Sequence, residues 1–223
     1  MEKQTPPFDF QDAISLLKAT GKKARDVHEL REGIAVVSEQ SIFHHTYQYF
    51  LKGHALEYTN DFAQWAGKTL EESILSEHLS NIDPYGFRSV NEVRGELLRV
   101  IDCYLEEFPE PRPAVPGEEF YFNESVAIVF LEGVRALNLA EFLIALKYVE
   151  PGCIYFHFYE ARSRIKGATD DFSKWFEDAL GKVELARKVR AIDPFMHSVE
   201  GIRELIGDLV EQELRHDMES RFA

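Results

Sequence analysis

Two histidines are the residues of this chain best suited to chemistry. His45 and His157 occur in similar strings, each three residues after an isoleucine and two before a tyrosine. A histidine oriented by a carboxylate can act as a general base or as a metal ligand. Asp61 and Asp171 follow at similar distances and are the candidate carboxylates. The interpretation that we prefer is structural, with each histidine buried and satisfied by its aspartate or by a backbone carbonyl.

The other candidate residues also occur in pairs. Arg94 and Arg203 could form partly buried ion pairs with the shared aspartates, or complete an Arg–Asp–His cluster that binds an anion. Tryptophans at helical spacing are more typical of a core than of a ligand platform, and an aspartate before proline is typical of a turn. No residue is assigned a catalytic role. The candidate cluster, either ligand-binding or structural, comprises His45, Tyr47, Asp61, Trp65, Asp83, Arg94, His157, Tyr159, Asp171, Trp175, Asp193 and Arg203.

A metal centre is not expected, although His44 stands next to His45. Neighbouring residues of a helix point about 100° apart, so both rings would not readily face one ion. Phe156 occupies the position before His157, which leaves one histidine there. The sequence therefore predicts no metal and no cofactor.

The composition limits the possible partners. The chain has 223 residues, 25 basic and 39 acidic side chains, and a formal net charge of −14. This acidity argues against nucleic acid, because phosphate binding relies on clustered Lys and Arg. The two cysteines, Cys103 and Cys153, cannot make a disulfide framework, and no stretch has the ~20 apolar residues of a membrane span. We expect a cytoplasmic protein that binds another protein or a small molecule, and neither nucleic acid nor membrane.

The sequence resembles itself. Matching strings appear in the same order in the two halves: Phe8-x-Phe10 with Phe120-x-Phe122, Gly21-x-x-Ala24 with Gly133-x-x-Ala136, Asp61-Phe62-x-x-Trp65 with Asp171-Phe172-x-x-Trp175, and Ile82-Asp83-Pro84 with Ile192-Asp193-Pro194. Such self-similarity is typical of a repeated structural unit. The segment between the halves is rich in proline, which favours an extended spacer. The predicted organisation is an N-terminal repeat (1–107), a linker (108–118) and a C-terminal repeat (119–223).

The periodicity within each repeat indicates helices. Phe10, Ile14 and Leu17 follow helical spacing, and so do Phe122, Val126, Val129 and Phe130, although strand alternation is the alternative over 120–130. Further helix starts are indicated by the boxes Asp26-x-x-Glu29 and Asn138-x-x-Glu141, by Pro151, by Thr59 and Thr169, and by Ser89-x-x-Glu92. The predicted fold is all-α, with two tandem, pseudo-symmetric helical bundles of about six helices each.

These strings also carry a family resemblance. Ser/Cys-Ile-x-x-His-x-Tyr, then Asn/Asp-Asp-Phe-x-x-Trp, then Ile-Asp-Pro resembles an uncharacterised family of bacteria and archaea. Members of that family sometimes accompany glycosyltransferases or are fused to them. The resemblance implies a soluble intracellular protein with a link to carbohydrate enzymes. It implies no catalytic residues, because none are established for the family.

Two functional hypotheses follow. The leading one is a non-enzymatic binding or accessory module, since no catalytic signature is present and the repeat preserves mostly packing positions. The alternative is an enzyme, either a hydrolase or one acting on a sugar or phosphate. Its cleft would be lined by His45, Asp61 and Arg94 or their equivalents, with histidine as base and arginine as anion clamp.

Overall fold

A computed structural model describes residues 6–49, 57–164, 169–194 and 196–222. Two strands form an antiparallel two-stranded sheet, β1 (Phe8–Ala24) and β2 (Phe120–Ala136). The α-helices between the strands are α1 (Val27–Val36), α2 (Glu39–His45), α3 (Asp61–Lys68), α4 (Ser73–Ser80) and α5 (Val90–Glu107), with a 3₁₀ turn at Pro84–Gly86. After β2 come α6 (Leu139–Tyr148), α7 (Pro151–Ile154), a π-helix (Tyr155–Glu160), α8 (Ala161–Arg164), α9 (Asp171–Asp178), α10 (Val183–Arg190) and α11 (Val199–Phe222).

The predicted all-α fold is wrong, because the first predicted helix of each half is a strand. The first residues of β2 alternate in burial: Phe120 and Phe122 are buried, whereas Tyr121 between them is 53% exposed. Burial at every second residue is the signature of a strand with one face on a core. Further along β2, apolar residues occupy both odd and even positions. This uninterrupted apolar run also contains the spacing that is typical of a helix. The alternative of strand alternation over 120–130 is the correct one.

The chain forms two compact units. The first unit comprises Ser15–Val126, and the second comprises Met1–Ile14 with Ala127–Ala223. The chain passes from one unit to the other within β1 and again within β2. The predicted linker 108–118 therefore lies inside the first unit. The duplication of the sequence stays a prediction.

Each unit has its own hydrophobic core, built on helices and on the buried end of one strand. In the first unit, Phe120 and Phe122 of β2 pack with residues of α1 to α5. In the second unit, Phe8 and Phe10 of β1 pack with residues of α6, α9 and α11 among others. The helices of each predicted repeat thus pack around the phenylalanine pair of the other predicted repeat.

A glycine in α1 makes room for the buried strand of the first unit. The ring of Phe122 lies so close to Gly33 that a Cβ at this position would overlap Cζ and Cε2 of the ring. The strand can therefore pack closely against α1 only because residue 33 has no side chain. This contact explains a glycine in the middle of a helix, where glycine is otherwise unfavourable.

The later helices agree with most of the predicted starts. The side chains of Asp26, Asn138 and Ser89 cap α1, α6 and α5, and Pro151 begins α7. Thr59 and Thr169 do not cap the following helices, because Asn60 and Asp170, one residue later, accept the N–H groups of the first turns. Among the described residues, no helix combines the length and the apolar character needed to cross a membrane.

The contact between Gly33 and Phe122 predicts opposite effects for two Gly→Ala substitutions. Gly33→Ala should lower the free energy of unfolding by about 1–2 kcal/mol, because overpacking a core costs more than the gain in helix propensity. Gly95→Ala, in α5 with no atom near the new Cβ, should raise it by about 0.5–1 kcal/mol. Urea unfolding followed by circular dichroism measures both. An equal gain in the two variants would contradict the packing of β2 on α1.

Candidate functional site

The structure brings His45 and Asp61 together in the first unit. His45 ends α2 and is 3% exposed, and its Nδ1 lies 2.7 Å from Oδ2 of Asp61 in the first turn of α3. The backbone N–H of Asn123 in β2 donates to Nε2 of the same ring, at 3.0 Å. A backbone N–H can only donate, so Nε2 carries a lone pair and the proton is on Nδ1, where it is donated to Asp61. The imidazole is therefore neutral and joins α2, α3 and β2.

The second unit contains the same arrangement. His157 lies in the π-helix and is 4% exposed, and its Nδ1 is 2.8 Å from Oδ2 of Asp171. The backbone N–H of Gln11 in β1 donates to Nε2 at 2.9 Å. We call each set of histidine, aspartate and strand N–H a histidine clamp. Because both ring nitrogens are engaged, neither histidine offers a lone pair as a general base while its clamp is intact.

The tryptophans and tyrosines of the candidate set also hold backbone in place. The indole N–H of Trp65 donates to the carbonyl of Glu118 at 2.8 Å, and that of Trp175 donates to Pro6 at 2.9 Å. Each acceptor lies two residues before the strand end that enters the core. The Tyr47 hydroxyl donates to Pro84 at 2.8 Å. These contacts support the interpretation of the aromatic residues as core.

The hydroxyl groups of the two tyrosines are buried. Burial raises the pKa of Tyr47 well above its usual value, and it raises the pKa of Tyr159 to about 12. The Tyr159 hydroxyl donates to the carbonyl of His197 at 3.0 Å. Both tyrosines therefore stay protonated at neutral pH and act as hydrogen-bond donors to backbone.

The aspartates that precede proline lie in turns. Oδ1 of Asp83 accepts the N–H of Tyr85 at 2.9 Å and caps the 3₁₀ turn at Pro84–Gly86. The backbone carbonyl of Asp193 accepts the N–H of Met196 at 3.3 Å. Neither aspartate belongs to a histidine clamp.

The arginines of the candidate set do not join the clamps either. Nη1 of Arg94 donates to the carbonyls of Ile34 and Val37 at 2.6 and 2.8 Å, at the C-terminal end of α1. Arg203 makes the same two bonds to Leu146 and Val149, at the end of α6. Cations are favourable at a helix C-terminus, where the last carbonyls have no partner in the helix. The Arg–Asp–His cluster of the enzyme hypothesis is not formed by these arginines.

This helix-end role predicts a large effect of Arg94→Ala on stability. The substitution leaves two carbonyls without their charged donor and should lower the free energy of unfolding by about 2 kcal/mol. The control is Arg31→Ala, which removes a solvent-exposed bridge to Asp102 and should cost less than about 1 kcal/mol. Chemical denaturation of the two variants in parallel is the measurement. Similar losses in both would show that the α1 carbonyls do not depend on Arg94.

The first unit also contains an open cavity of about 640 Å³ beside its clamp. The cavity combines carboxylates, an ammonium group, amides and aromatic rings. Hydrogen bonding by its own backbone N–H and by Lys23 lowers the pKa of Glu119, so this carboxylate is charged. The lining residues are Ser15, Leu17, His44, His45, Asp61, Gln64, Trp65, Lys68, Thr69, Glu119, Phe120, Tyr121 and Asn123.

His44 lies nearer to the clamp than the sequence suggested. One potential ligand atom from each of His44, His45 and Asp61 lies within 4.8 Å of the other two. His44 and His45 are neighbours in α2, and Asp61 is contributed by α3. The expectation of no metal stays a prediction. Nδ1 of His44 lies 2.8 Å from Oε1 of Gln48.

Sequence reasoning missed the strand residues of the clamps. Gln11 and Asn123 contribute only backbone N–H groups, so their side chains carry no signal of this role. Their one signal is position, since each follows directly after a matching Phe-x-Phe string. Gln48 was missed as well, because an isolated glutamine has no characteristic spacing.

The two cysteines have different surroundings. Cys153 is buried, and burial raises the pKa of its thiol to about 12. Cys103 is exposed and lines a second cavity of about 540 Å³ in the first unit. The two residues lie in different units.

Comparison with known proteins places the chain in a family. One solved structure, described as "The structure of OrfY from Thermoproteus tenax", is similar over 95% of this chain and 97% of that chain, with 32% sequence identity and a TM-score of 0.81. No curated protein matches the sequence. The sequence model of DUF5752, described as a family of unknown function, matches residues 5–211. On this evidence the chain belongs to the DUF5752 family, whose function is unknown.

Proposed function

We propose that the protein is a non-enzymatic binding or accessory module and that it binds its ligand in the cavity of the first unit. The observation that supports this most strongly is the engagement of both nitrogens of His45 and of His157. A general base needs an available lone pair, and each clamp uses that lone pair to hold a strand. The histidines are therefore interpreted as structural.

The cavity has the features of a site for a small polar molecule. Tyr121 provides exposed aromatic surface, the largely buried rings of Trp65 and Phe120 also line the cavity, and Asp61 and Glu119 provide hydrogen-bond acceptors. A few polar groups among apolar walls are typical of small-molecule sites. We extend the proposal to a ligand of carbohydrate type, in keeping with the resemblance to a family that accompanies glycosyltransferases. Cytoplasmic location and the lack of nucleic-acid and membrane partners are part of the same proposal.

One observation favours the enzyme alternative. His45 and Asp61 line a cavity that is open to solvent, so a bound molecule could approach the pair. The arginine of that hypothesis is absent from the pair, because Arg94 binds the carbonyls at the end of α1. A catalytic His45 would also have to release the N–H of Asn123.

Binding without turnover is the predicted behaviour. Glucose and glucose 6-phosphate serve as probes in calorimetric titrations, and at least one should bind and raise the melting temperature. Tyr121→Ala, in the cavity, should weaken that binding about tenfold, which corresponds to ~1.4 kcal/mol. Tyr148→Ala removes an exposed tyrosine of the second unit and should leave the affinity unchanged.

The fate of the probe separates the two hypotheses. After prolonged incubation with the protein, proton NMR should show the bound probe unchanged. Conversion of the probe at a rate lost in a folded His45→Asn variant would establish the enzyme alternative. Equal affinity in wild type and Tyr121→Ala would place the binding outside this cavity.

A further inference from the structure

We propose that the clamp of the second unit is an acid-released latch on the N-terminal end of β1. Nε2 of His157 accepts the N–H of Gln11 at 2.9 Å, and Nδ1 of the same ring lies 2.8 Å from Oδ2 of Asp171. The ring is buried. The latch is closed while the imidazole is neutral, and it opens when Nε2 binds a proton.

Protonation sets two donors against each other. Imidazolium carries an N–H on both nitrogens, so Nε2 of His157 no longer accepts the N–H of Gln11. The bond from Nδ1 to Asp171 persists and strengthens, because a cationic donor and a carboxylate make a charge-assisted hydrogen bond. The charged ring therefore stays with α9 and releases the strand.

The residues that precede Gln11 share the same surroundings. Phe8 is buried, and its ring centroid lies 4.8 Å from that of His157 and 5.6 Å from that of Trp175. The indole N–H of Trp175 donates to the carbonyl of Pro6 at 2.9 Å. Release of Gln11 therefore loosens the strand end that carries Phe8, and it changes the surroundings of Trp175.

Acid is the signal to which this latch responds. Histidine is the side chain whose charge ordinarily changes between about pH 5 and 8. The bond to Gln11 needs the neutral ring, so its contribution to stability is present at higher pH and is lost as the pH falls. The latch lies in the second unit, and its action does not depend on ligand binding in the cavity of the first unit.

The elements around this clamp also bring other titratable or charged side chains towards it. Burial raises the pKa of Cys153 to about 12, so this thiol stays neutral throughout the range. Burial also raises the pKa of Glu132, and a carboxyl group with a raised pKa adds stability as the pH falls, which opposes opening. The groups are Asp171 in α9, Cys153 in α7, Arg162 in α8, Arg203 in α11, Asp12 in β1 and Glu132 in β2.

The experiment uses the full chain labelled with 5-fluorotryptophan, with its two ¹⁹F resonances assigned by means of Trp65→Phe. Between about pH 7.5 and 5, the Trp175 resonance should change while the far-UV circular dichroism stays constant. Constant dichroism shows that the helices remain folded and that the change is local. Over the same range the exchange protection of the Gln11 amide should fall by up to about tenfold per pH unit, the slope of a one-proton linkage.

Two variants test whether the imidazole is the titrating group. His157→Gln keeps an acceptor for the Gln11 N–H but does not titrate, so the transition should be absent. Asp171→Asn removes the charge that favours imidazolium, so the midpoint should move about one pH unit lower. The matched control is His216→Gln, which removes an exposed histidine of α11 and should leave the midpoint unchanged.

Three results would overturn the latch. The first is a Trp175 resonance and a Gln11 protection that do not change down to about pH 5. The second is a transition that persists in His157→Gln, which would assign it to the carboxyl groups. The third is a loss of circular dichroism at the same midpoint, which would show global acid unfolding in place of a local release.

Discussion

The structure depends on an imidazole that accepts a backbone N–H from a strand while donating to an aspartate on a helix. Two strands alone are marginally stable in water, and a β-ribbon needs packing against other elements. Here β1 and β2 obtain that support where Phe8 and Phe10, or Phe120 and Phe122, enter a helical core. The clamp at the next residue then ties the strand backbone to two helical segments. Burial of the two phenylalanines favours one register of the strand, and the directional bond from one N–H adds to that preference.

The clamp also explains why residues suited to catalysis are placed in a core. His45 and Asp61 are residue types that catalytic pairs use, and they meet at hydrogen-bond distance. The third partner is a strand amide, which uses the nitrogen that a general base needs. The same argument applies to His157 and Asp171. In both units the pair therefore holds a strand to two helical segments.

Part of this could be predicted from the sequence. Helix starts at Asp26, Asn138 and Ser89 were predictable because capping is a local interaction between residues three apart. The strands were not predictable from spacing, because apolar residues at successive positions of 126–131 fit both a helix and a two-sided strand. The types and similar separations of the histidines and aspartates also predicted that each histidine pairs with its aspartate. The strand amides and the helix-end roles of Arg94 and Arg203 involve backbone atoms, which are identical at every non-proline position and leave no mark on the sequence.

The two units differ in the residue that precedes the clamp histidine. His44 in the first unit lies beside an open cavity, and Phe156 occupies the matching position in the second unit. The two clamps are therefore alike, whereas the residues next to them differ.

The central claim is that both histidines are neutral and accept a strand N–H at Nε2. The most direct test is NMR of ¹⁵N-labelled, deuterated protein at neutral pH, recording couplings across hydrogen bonds between nitrogens. The account predicts a coupling from the Asn123 amide nitrogen to Nε2 of His45, and another from Gln11 to Nε2 of His157. It also predicts ring shifts typical of a neutral imidazole protonated at Nδ1. Ring shifts typical of imidazolium, with no coupling to either amide, would contradict it.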